Sequence, residues 1–117
     1  MLAARGTKRF YELSRRVYHN DKAVNEKRFA IENAVLVLIA TQQPMAHDLR
    51  VLAAILEVIT ELERMGDYAK GVALINLRLS SEPVAISGRD FTRMANLAVD
   101  MLHRALTAFA QEDAALA

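Results

Sequence analysis

The 117 residues contain no cysteine and no tryptophan, only four glycines and only two prolines. Without thiols the chain can form neither a disulfide framework nor a thiolate metal site, so packing, hydrogen bonds and charge must hold it together. So few glycines and prolines leave few positions at which a helix has to stop. An excess of charge of one sign is lacking as well: 15 basic side chains stand against 14 acidic ones, a formal net charge of +1. That balance gives no electrostatic footprint for a nucleic acid as partner. The longest apolar run, "AVLVLIA" at 34–40, falls far short of the roughly 20 residues needed to cross a bilayer. Arg5, Lys8 and Arg9 give a basic start, but no apolar segment with a small-residue cleavage site follows. These absences lead to the expectation of a cytoplasmic protein, peripheral at most to a membrane.

What is present is apolar content, 53% of the residues, laid out at helical spacing. Phe10, Leu13, Val17, Val24, Ile31, Val35 and Leu38 recur at steps of three, four and seven, which predicts a helix over about 7–40. "TQQP" ends it. Pro44 suits the first turn of a second helix over about 44–79, where a missing N–H costs nothing and Asp48 favours the positive end of the dipole. That helix carries Leu49, Leu52, Leu56, Ile59 and Leu62. "SSEPVAISG" interrupts the pattern, and a third helix over about 88–113 follows Ser87 as N-cap, carrying Phe91, Met94, Leu97, Met101, Ala105 and Phe109. No strand pattern survives inspection. The predicted fold class is therefore all-α, an antiparallel three-helix bundle in a single domain over 1–117. The step of the first helix also suits an extended coiled-coil-like dimer. Met45, Met65, Met94 and Met101 read as core filling.

Inside the second helix, "ITELERMGDYAKG" places Glu63 and Asp67 one turn apart in an apolar context. With Leu49 as zero, Leu52, Leu56 and Ile59 fall at about −60°, about −20° and about −80° around the helix. Glu63 falls at about −40°, Asp67 at about 0° and Lys70 at about −60°, while Glu57 and Glu61 lie on the solvent flank at about +80° and about +120°. The two acids thus share the leucine stripe. A carboxylate there has to be paired, protonated or bound to a metal, because an isolated buried charge costs many kcal/mol. Gly66 between them would let another helix or an ion approach closely. On the first helix Asp21, Asn25, Arg28 and Glu32 lie within about 60° of one another. In a hairpin closed at 41–44 they sit at the height of Glu63 and Asp67. Oxygen donors from facing helices suit Mg²⁺, Mn²⁺ or iron. The other reading is a buried ion-pair network in which Arg28, Arg64 or Lys70 neutralises the acids.

The stretch "LIATQQPMAHDLRVLAAILEVITELERMGDYAKGVA", residues 38–73, resembles the PhoU family of phosphate-uptake regulators. The features that carry the likeness are Gln42-Gln43-Pro44, then Asp48-Leu49-Arg50, and fourteen residues after Asp48 the run Leu62-Glu63-Arg64-Met65-Gly66-Asp67. The resemblance covers residues 10–80 and extends weakly through "MANLAVDMLHRALTAFAQED". It implies an all-helical protein built from three-helix repeats, with E/D-x-x-x-D motifs that bind iron or zinc clusters on the bundle surface. Carried over by position, Glu63 and Asp67 match the motif on the second helix and Asp21 the first acid of the motif on the first. Asn25 stands at that motif's second acid, where it can ligate only through a neutral oxygen. Arg28 stands at a further acidic position, and Gly71 replaces an asparagine. The resulting metal candidates are Glu63, Asp67, Asp21 and Asn25, for a divalent, iron or zinc ion. About one repeat's worth of helices is covered, which implies a fragment or a short form that rebuilds the arrangement by pairing with itself.

The function the resemblance implies is that of a helical adapter repressing phosphate uptake, with the phosphate ABC transporter ATPase and a sensor histidine kinase as partners. It is not expected to be an enzyme. The alternatives are a structural dimerisation bundle without metal and, less well supported, a metal-dependent helical-bundle enzyme. Di-iron bundles place Glu-x-x-His on two helices, and His19, His47 and His103 all lack a glutamate three residues before. No nucleophile–base arrangement, glycine-rich phosphate loop or basic-aromatic patch is found.

Overall fold

A computed structural model describes residues 2–79 and 88–117, with side chains over 8–79 and 90–117. The expected N-cap Ser87 and the interruption at 80–87 lie outside the described residues. Three helices and no strand are present among the described residues: α1 (Leu2–Gln42), α2 (Ala46–Leu79) and α3 (Gly88–Gln111). The all-helical class and the three elements agree with the apolar periodicity.

The α1–α2 boundary differs in one respect from the sequence reading. Gln43 and Ala46 have φ of 47° and 51°, so the backbone leaves the right-handed region at 43 and is left-handed again at 46, the first residue of α2. Pro44 therefore stands two residues ahead of α2 rather than in its first turn. Gln43 N–H donates to the Ile39 carbonyl at 3.2 Å, the left-handed cap that closes α1. Asp48 does fall in the first turn of α2.

The chain divides into two compact units, Met1–Pro83 and Val84–Ala117. In the second, α3 ends where Glu112 turns to φ 53°. The N–H groups of Glu112 and Asp113 donate to the Phe109 and Ala108 carbonyls at 3.2 and 2.9 Å. Asp113 Oδ1 then accepts from the N–H of Ala115 at 2.9 Å and of Leu116 at 3.2 Å, fixing the exit turn.

In the first unit α1 and α2 pack as an antiparallel hairpin. Its seam repeats every seven residues, as expected of two long helices crossing at a shallow angle. On α1, Ser14, Asp21 and Val35 are buried and Arg28 is half-buried; on α2, Ile59 and Ala73 are buried and Gly66 between them is half-buried. The apolar row expected to form the core of α1 is instead exposed: Phe10, Leu13, Val17, Val24, Ile31 and Leu38 all remain accessible, and only Val35 is covered. A pair of helices can bury only one seam. The polar row takes it because its members find partners, Asn76 Nδ2 donating to Ser14 Oγ at 2.7 Å and Lys70 Nζ to Asp21 Oδ2 at 2.6 Å. The apolar row lies about 60° to one side of that seam. Met45, Met65, Met94 and Met101 are exposed as well, so they do not fill a core within either unit.

Candidate functional site: the acid-bearing row of the hairpin

Local sequence puts the polar groups of α1 on one ridge. Asp21, Asn25, Arg28 and Glu32 follow at steps of four, three and four, the spacing of neighbours on a helix surface. Asn25 Nδ2 donates to Asp21 Oδ2 at 3.4 Å, and Arg28 Nη2 stands 3.8 Å from Glu32 Oε2. Across the seam Lys70 closes on the same Asp21 oxygen that Asn25 contacts. Asp21 is 8% exposed and Lys70 31%, so this is a partly buried, charge-assisted bond. The hydrogen bond that Lys70 donates to Asp21 holds its ammonium above the usual pKa against a desolvation cost, with Asp21, Tyr18 and Asp67 adding favourable charge interactions. The Lys70 nitrogen also sits 5.5 Å from the centre of the Tyr18 ring, a cation–π distance.

Two contacts fix the sides of the hairpin. Val24 meets α2 at Gly66, where a Cβ would lie 3.5 Å from Val24 Cγ1, whereas Tyr18 meets α2 at Lys70. Seen along the helix wheel, the exposed apolar row continues from Val24 on the first side, and Asn25, Glu63 and Asp67 belong to the second. The seam on α2 runs through Ile59, Gly66 and Ala73, at about −80°, about −100° and about −120° from Leu49. Glu63 and Asp67 lie to one edge of it, so Glu63 is half-buried and Asp67 exposed. The inward placement read from the leucine stripe thus shifts to the rim of the hairpin. The stripe was wide, and α1 covers only one margin of it.

Of the four metal candidates, Asp21 and Asn25 are joined to each other, and a lysine stands on Asp21. Among the described residues neither Glu63 nor Asp67 enters an ion pair, and no group of three acid or histidine side chains gathers around a common point. The donor set does not fit a metal ion. An ammonium lies 2.6 Å from the Asp21 oxygen a metal would take. The orphaned buried atom nearby, Arg28 Nε, is a donor on a cation and calls for an acceptor. Arg64, a third candidate counter-ion, turns outward to Glu61 at 2.8 Å, and this hydrogen bond raises its pKa. The sequence reading missed the Ser14–Asn76 bond. Both residues sit at seam-compatible positions of their helices, but nothing local marks a serine and an asparagine 62 apart as partners.

The comparisons with known proteins converge. The model of the PhoU domain matches residues 7–75, which takes in the buried seam residues of both helices and stops one residue short of Asn76. A Burkholderia protein named phosphate-specific transport system accessory protein PhoU homolog is 36% identical over 107 residues, 89% of this chain and 46% of its own length. The Escherichia coli K12 phosphate-specific transport system accessory protein PhoU is 38% identical over 105 residues, 87% of this chain and 42% of its own. A Streptococcus pneumoniae homologue of the same name is 35% identical over 98 residues, covering 84% and 45%. The chain spans less than half the length of these curated relatives. No solved structure matches it.

Proposed function

The chain belongs to the PhoU family, and from that premise we propose that it acts as a regulatory adapter of phosphate-specific transport. The observation that carries this reading is the coincidence of the PhoU match at 7–75 with the α1–α2 hairpin, including Gln43-Pro44 at the turn and Glu63-Arg64-Met65-Gly66-Asp67 along α2. The relatives' names attach them to the phosphate-specific transport system as accessory proteins.

An adapter needs surface rather than a reaction centre, and the hairpin offers it. Phe10, Val17, Ile31 and Leu38 form one exposed apolar row on α1, and Met65 and Val72 are exposed on α2. Exposed apolar rows of this kind on a helical hairpin serve helix–helix association. The partners in this proposal are the ATPase of the phosphate ABC transporter and its sensor histidine kinase, with a second copy of the chain completing the bundle. No described helix is long and apolar enough to cross a membrane, in keeping with a cytoplasmic protein working at the inner face of a transporter. Catalysis plays no part in this role.

Co-purification tests it. The full chain, tagged and expressed with the transporter ATPase or with the kinase's cytoplasmic portion, is expected to retain at least one of them through washing, and exchange of Ile31 and Leu38 for serine is expected to release it. Retention of neither, with the chain folded and self-associated, would leave the structural dimerisation bundle as the better reading.

A further inference from the structure

The row that resembles a metal motif carries its own cations. Lys70 Nζ is 2.6 Å from Asp21 Oδ2 across the seam, and Asn25 completes the contact to that oxygen from the α1 side. Counting seven residues on along α1 and seven back along α2 from this pair leads to Arg28 and Glu63, which therefore share a level of the antiparallel hairpin. Arg28 is half-buried there, its Nε has no acceptor, and Glu32 is its ion-pair partner, at 3.8 Å. The sequence along the two helices thus alternates in sign at these levels, Asp21 then Arg28 on α1 and Lys70 then Glu63 on α2, with the Asp21–Lys70 pair the one in contact across the seam among the described residues.

We propose that Lys70 stands in place of a metal at Asp21, with the half-buried guanidinium of Arg28, paired to Glu32, as a second fixed cation one heptad along the same ridge, so that the hairpin closes independently of metal. Hard cations bind carboxylate oxygens at about 2.0–2.6 Å. That is the shell the Lys70 ammonium already fills at Asp21. A divalent ion there would stand against two fixed positive charges, one of them with its Nε buried. Lysine and metal are mutually exclusive occupants, because like charges at such separation repel strongly where the dielectric is low. Asn25 is consistent with this arrangement. An amide can orient its N–H toward Asp21 while the ammonium approaches, whereas a second carboxylate would lack that donor.

The experiment uses the full chain. Metal content is read by mass spectrometry and the melting midpoint by circular dichroism, with EDTA and with added Mn²⁺ or Zn²⁺, for the parent, Lys70→Met, Asp21→Asn and the double variant. The parent is expected to carry no stoichiometric metal and to melt at the same temperature under all three conditions. Each single variant is expected to melt several degrees lower, and the double variant no lower than the worse single one, the signature of a coupled pair. One metal per parent chain together with a lower midpoint in EDTA overturns the proposal. So does a double variant whose loss equals the sum of the two single losses. If the single variants do not fold, the exchanged chain Asp21→Lys/Lys70→Asp decides. A cooperative melt insensitive to EDTA supports the proposal, and folding that requires added metal overturns it.

Discussion

Val24 on α1 and Gly66 on α2 lie side by side, with room between them for one methyl group. A Cβ on Gly66 would meet Val24 Cγ1 at 3.5 Å, an ordinary van der Waals contact. The glycine is thus not required for the helices to approach, contrary to what its place between Glu63 and Asp67 suggests. Gly66→Ala is expected to stabilise the hairpin by about 1 kcal/mol, the cost of glycine in a helix interior. Thermal melting should show a rise of about 4–8 °C for a unit of this size. A fall in the midpoint would mean that the seam is tighter than the Val24 contact indicates.

Gly71 gives the matching control. Nothing lies within 4 Å of the position a Cβ would take there. Gly71→Ala is expected to add about 1 kcal/mol from helix propensity alone, and the two alanines together should be additive in a denaturant titration. The asparagine that the family resemblance places at this position would gain less, being a weaker helix former.

At the turn, Gln43 holds a φ of 47° with no compensating side-chain bond among the described residues. A left-handed conformation costs a non-glycine residue about 1–2 kcal/mol. Gln43→Gly relieves that strain but also loosens the unfolded chain, so the expected net gain is about 0.5–1 kcal/mol. Chemical denaturation would read it as a higher midpoint at unchanged slope.

Ile59 is the largest aliphatic side chain that the seam buries, at 7% exposure. Truncating it opens a cavity in a thin interface, and Ile59→Ala is expected to cost about 2–4 kcal/mol. Ile31 is 42% exposed on the uncovered side of α1. Ile31→Ser should change the stability of an isolated hairpin by under about 1 kcal/mol while weakening self-association in sedimentation experiments. Equal losses for Ile59→Ala and Ile31→Ser at low protein concentration would show that the apolar row is covered within one chain.

Much of this was determined by the sequence alone. The helical spacing of the apolar residues, with so little glycine and proline, is enough for three helices and no strand, since a period near 3.6 cannot be laid down as a half-buried strand. Gln42-Gln43-Pro44, Asp48-Leu49-Arg50 and the run Leu62–Asp67 together make the family legible, because they are local patterns at fixed offsets. What a wheel cannot supply is which margin of a broad stripe the neighbour covers. On α1 both the row of Phe10, Val17, Val24 and Ile31 and the row of Asp21, Asn25, Arg28 and Glu32 were eligible, and tertiary packing chose the polar one. The choice depends on register: only when α2 returns with Lys70 opposite Asp21 and Asn76 opposite Ser14 do the buried polar groups find partners. A paired polar seam leaves the apolar row free for another surface, and a buried charge left alone would not have been tolerated. The acids at 63 and 67 were therefore legible as a motif from their spacing, while their place at the rim, and the lysine that stands where a metal would, belong to the folded hairpin.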